Sequence, residues 1–100
     1  MTTPNDPRQA AESRVRELIE LLRAQPASPE LQALLGEAES LERAIKAFHM
    51  EGIRFRMYNV DRLMTRGGLA LPEAAAVVLA HVRRELEAAG FHTRSHQAPI

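Results

Sequence analysis

Pro29 to Thr65, PELQALLGEAESLERAIKAFHMEGIRFRMYNVDRLMT, contains no proline after its first position. Along it Leu31, Leu34, Ala38, Leu41, Ile45, Phe48, Gly52 and Phe55 recur at spacings of three and four, a heptad seam. Ser28-Pro29-Glu30 is a helix start: a capping hydroxyl, a proline tolerated in the first turn, and an acid at the positive helix end. Gly67-Gly68 supplies the stop. The register continues through Gly36 and Gly52, so the segment reads as one helix.

Such a helix would be about 55 Å long at 1.5 Å per residue. A compact chain of this size is only about 35 Å across. The helix must therefore kink, or protrude and be covered by another chain. On a helical wheel a second stripe, about 130° from the first, holds Met50, Ile53, Met57, Val60 and Met64. Apolar side chains then ring more than half of the C-terminal half of the segment, which favours cover by a symmetry mate. The expected fold class is all-α: three helices with a long central helix, forming an antiparallel helical bundle completed by homodimerisation through residues 41–64. The alternative is a three-helix monomer whose central helix breaks near Gly52, each half using its own stripe.

The flanks supply the other two helices. Arg8 to Ala24 carries Ala11, Val15, Leu18, Ile19 and Leu22 on one face, and Gln25-Pro26-Ala27-Ser28-Pro29 ends it. Ala70-Leu71-Pro72-Glu73 opens a third helix with Leu71, Ala75, Val78, Leu79, Val82, Leu86 and Ala89 inward. Gly90-Phe91 reads as a left-handed C-cap with a hydrophobic clasp. Residues 1–7 read as a disordered lead-in, 8–91 as one helical domain, and 92–100 as a flexible tail.

Composition narrows the function. Thirteen basic and thirteen acidic side chains cancel, which argues against a general polyanion binder. The absence of cysteine rules out disulfides, thiol catalysis and thiolate metal sites. The longest near-apolar run, Ala74 to Ala80, is too short to span a bilayer, and the N-terminal residues have no signal-peptide pattern. The expected setting is cytoplasmic, with no membrane role.

Three groups of side chains stand out. Glu42, His49 and Arg56 lie seven apart, on one polar line between the stripes, and suggest a polar network that sets register. Arg54, Tyr58, Arg62 and Arg66 form a basic face suited to an anion, a nucleic acid or an acidic partner, with Tyr58 between two guanidinium groups. Phe48, Met50, Ile53, Phe55, Met57, Val60 and Met64 are the candidate oligomer or partner interface, their methionines suiting an adaptable surface.

Chemistry has less support. His92 and His96 are four apart but lie beyond Gly90, His81 and Glu85 are a lone pair, and no Glu-x-x-His occurs. No phosphate loop and no nucleophile constellation is present. The expectation is a non-enzymatic, homo-oligomeric helical adaptor or regulator without cofactor or metal. A nucleic-acid-binding regulator, with Arg83 and Arg84 added to the basic face, is the alternative, and a ligand-binding helical bundle the third reading.

Overall fold

The computed structural model describes residues 6–91. Among the described residues the fold consists of four α-helices and no strand. They are α1 (Pro7–Arg23), α2 (Pro29–Lys46), α3 (Met50–Arg66) and α4 (Glu73–Ala88). Helix α1 begins one residue earlier than the sequence suggests, because Asp6 accepts the Arg8 N–H at 3.0 Å and Pro7 takes the first helical position. The α2 start matches the sequence reading: Ser28 Oγ accepts the Leu31 N–H at 3.0 Å.

The expected three helices are four, because the central segment turns sharply at Ala47-Phe48-His49. The turn lies at neither Gly36, inside α2, nor Gly52, in the first turn of α3. Phe48 takes a left-handed conformation, φ 56°, and is the only non-glycine residue with positive φ among those described. The His49 N–H donates to the Ala44 carbonyl at 3.0 Å, and the Phe48 N–H to the Ile45 carbonyl at 3.1 Å. This pair of bonds is a Schellman stop built on phenylalanine. His49 then restarts the chain, its Nδ1 accepting the Gly52 N–H at 2.8 Å.

The bend resolves the problem of length and girth. Each half turns its own stripe inward: Leu31, Leu34, Ala38, Leu41 and Ile45 on α2, and Ile53, Met57 and Val60 on α3, are all buried within one chain. The longest extent of the molecule is 38 Å and its radius of gyration 12.9 Å, the size of a single packed subunit. The inference that another chain must shelter the central segment therefore loses its premise.

Helix α1 lies in the middle, packed against both α2 and α4, while α3 packs on α2. Its stripe, Ala11, Val15, Leu18, Ile19 and Leu22, is wholly buried, as is the α4 stripe of Ala75, Val78, Leu79, Val82 and Leu86. Gly90 (φ 95°) closes α4, with the Phe91 N–H donating to the Leu86 carbonyl at 2.9 Å and the Phe91 ring buried. Helices α3 and α4 meet only at their edges, leaving a groove between them.

Candidate interaction surface

The charges of α1 and α2 are largely spent on one another. Glu12, nearly buried on α1, receives Arg16 at 2.6 Å and lies 3.7 Å from both Arg8 and Lys46. Glu42 on α2 accepts from Arg16 Nε at 2.9 Å and lies 3.8 Å from Lys46. The Glu42 hydrogen bond, then the Glu12 charge, push the Arg16 guanidinium above its ordinary pKa range. Arg23 pairs with Glu20 and Glu39.

The polar line expected from sequence, Glu42, His49 and Arg56, is not brought together. Glu42 ties α2 to α1, His49 caps α3, and Arg56 crosses to Glu37 on α2 at 3.0 Å, where Asn59 also donates at 3.1 Å. The seven-residue spacing assumed one continuous helix, and the turn at Phe48 removes it.

The seven candidate interface residues divide. Ile53, Met57 and Val60 are in the core of their own chain, and Met64 is partly buried against it. Phe48 is 63% exposed, Met50 48% and Phe55 44%. The Arg8 guanidinium lies over the Phe48 ring, 4.5 Å from its centroid. Its Nε is buried without a hydrogen-bond acceptor, an arrangement an aromatic face tolerates.

What α3 turns outward follows from its fixed sides. Its Glu37 contacts face α2, and Asp61, 3.8 Å from Arg83, faces α4. At 100° per residue the remaining arc spans about 120° and holds Arg54, Thr65, Tyr58, Glu51, Arg62, Phe55 and Arg66. Among the described residues, Arg54, Arg62 and Arg66 have no carboxylate within 4.0 Å. The sequence-selected basic face is thus a single outward strip. Its expected Tyr58 sandwich is absent: the described guanidinium–ring contacts are Arg8 on Phe48 and Arg56 on Phe55, the latter at 5.1 Å.

Sequence reasoning missed the groove between α3 and α4. Met64, Leu69, Leu71, Leu79 and Ala80 line a cavity of about 310 Å³, with the Asp61–Arg83 pair at its side. No periodicity announces it, since it exists only because α3 folds back beside α2. Among the described residues no group of three His, Cys, Asp or Glu side chains is placed to hold a metal, and no helix is long and apolar enough to cross a membrane. His92 and His96 lie outside the described residues. No family model, curated protein or solved structure matches the chain.

Proposed function

We propose that this chain is a non-enzymatic interaction module, a small helical adaptor or regulator that docks an acidic protein segment on the outward face of α3. The observation that carries the reading is the segregation of charge. Arginines elsewhere are mostly matched with glutamates, whereas Arg54, Arg62 and Arg66 stand unmatched on the same outward strip as the half-exposed Phe55, over whose ring lies the Glu37-paired Arg56. An apolar ring sharing one helix strip with unmatched cations complements an amphipathic segment carrying Glu or Asp beside Leu or Phe.

A helical peptide with Glu and Leu on one face tests this, read by fluorescence anisotropy against the same peptide with Lys in place of Glu. The protein should bind the acidic peptide alone, and Arg54→Glu/Arg62→Glu/Arg66→Glu should reverse the preference. Equal binding of both peptides, or no change in the triple variant, defeats the reading. The same arginines support a second reading as a nucleic-acid grip. Duplex DNA that binds in low salt and is lost steeply as salt rises would replace the first reading with the second.

A further inference from the structure

We propose that a second copy of this chain docks on the outward face of α4, antiparallel to it, around a two-fold axis level with residues 78 and 79. This surface is separate from the α3 face and does not depend on it. Helix α4 buries Ala75, Val78, Leu79, Val82 and Leu86 toward its own chain. Diametrically opposite, at spacings of four, three and four, stand Glu73, Val77, Ala80 and Arg84, which fall within about 60° of one another on the wheel. All four are exposed, and Val77, 48% exposed, is one of the few large apolar side chains left in water. The alternation of three and four is the spacing of a seam that meets another helix.

The order of charges along this seam selects the occupant. Among the described residues neither Glu73 nor Arg84 has an opposite charge within 4.0 Å. They sit at the two ends of the seam, about 16 Å apart along the axis. An antiparallel copy centred between Val77 and Ala80 sets each Glu73 against the other copy's Arg84, and each Val77 against the other copy's Ala80. Two ion pairs then close the ends of an apolar centre, and the small Ala80 lets the axes approach. A parallel copy would place Glu73 on Glu73 and Arg84 on Arg84, so the charges reject that orientation. Because Ala80 also lines the groove beside α3, the docked helix would overhang its mouth.

A seam of four residues makes a small interface, so dimerisation in the micromolar range or weaker is expected. Sedimentation equilibrium of the full chain up to about 1 mM covers that range. The wild type should dimerise, while Arg84→Glu and Glu73→Arg should each weaken dimerisation at least about tenfold. The double variant Glu73→Arg/Arg84→Glu should recover it, and the two single variants, mixed, should pair with each other. Circular dichroism confirms that these exposed changes leave the helices intact. A wild type monomeric throughout, single reversals without effect, or a double variant that fails to recover each overturns the proposal. The α3 triple variant should dimerise as the wild type does, so the two surfaces fail or succeed separately.

Discussion

Helices α2 and α4 end in the same backbone device built on different residues. After α4, Gly90 takes the left-handed position at no steric cost, and Phe91 follows into the core. After α2 the left-handed residue is Phe48, whose Cβ makes that conformation unfavourable by roughly 1–2 kcal/mol, and whose ring stays in water. The α4 stop is thus preferred locally and then clasped by the ring that follows it. The α2 stop is imposed from outside. Ile45 on one side and Ile53 and Met57 on the other are buried in one core, and the chain between them bends because both stripes must face inward. A left-handed glycine marks a stop that the local sequence wants, and a left-handed phenylalanine one that packing requires.

The largest expected effect comes from removing that packing. Met57→Asp places a charge among fully buried side chains and should cost about 4 kcal/mol or more, unfolding much of the protein at 37 °C. Met50→Asp, on the same stripe but half-exposed, should change stability by under about 0.5 kcal/mol. Urea denaturation followed by circular dichroism measures both. If Met57→Asp folds normally, α3 is not held by its own chain and the account of the bend fails.

The two phenylalanines should separate next. Phe91→Ala empties a core position and is expected to lose about 3 kcal/mol. Phe48→Ala removes only the Arg8 stacking contact and should stay within about 1 kcal/mol of wild type. Comparable losses at the two positions would mean that Phe48 has buried contacts the exposed ring does not indicate.

Much of this comparison could be read in the residues, and the part that could not has a physical reason. The faces of α1 and α4, the Ser28 cap and the Gly90-Phe91 clasp follow from local rules, because caps and stripes are properties of a few neighbouring residues. The turn at Phe48 has no such local signal, since neither proline nor glycine marks it and Phe48 fits the heptad seam. A sign was nevertheless present: the shift of about 100° between the stripe ending at Ile45 and the one through Ile53 and Met57. That shift reads equally as one helix packed from two sides or as two helices each packed from one. Only long-range contact between α2 and α3 decides, and sequence spacing does not report it. The candidate surface divided for the same reason. Arg54, Arg62 and Arg66 depend on α3 alone and stay together, whereas Glu42, His49 and Arg56 depended on continuity across the bend and part.

Exchanging the chemistry of the two stops tests whether one is local and the other imposed. Gly90→Ala should cost about 1 kcal/mol or slightly more, since alanine must adopt a φ of 95°. Phe48→Gly relieves the equivalent strain and loses the Arg8 contact, so a net gain of a few tenths of a kcal/mol is expected. Thermal melts with enough replicates to resolve about 1–2 °C suffice. A loss at Phe48→Gly as large as that at Gly90→Ala would show that the ring, not the backbone, fixes the bend.

The smallest effect is also the most specific to the restart of the chain. Gly52 lies in the first turn of α3, where alanine would ordinarily favour the helix by about 0.5–1 kcal/mol. Here a Cβ would stand 2.6 Å from His49 Nδ1, the atom that caps the helix, and 3.4 Å from the Ala44 side chain. The imidazole must swing away, and a lost cap costs about 1 kcal/mol, so Gly52→Ala should be close to neutral in the wild type. In a His49→Ala background the cap is already gone, and the same substitution should show its ordinary gain. The coupling between the two positions, about 1 kcal/mol in a double-mutant cycle, then measures what the histidine contributes to starting α3. Additive effects would mean that the His49 imidazole does not hold the Gly52 N–H in solution, leaving the bend to depend on the buried stripes alone.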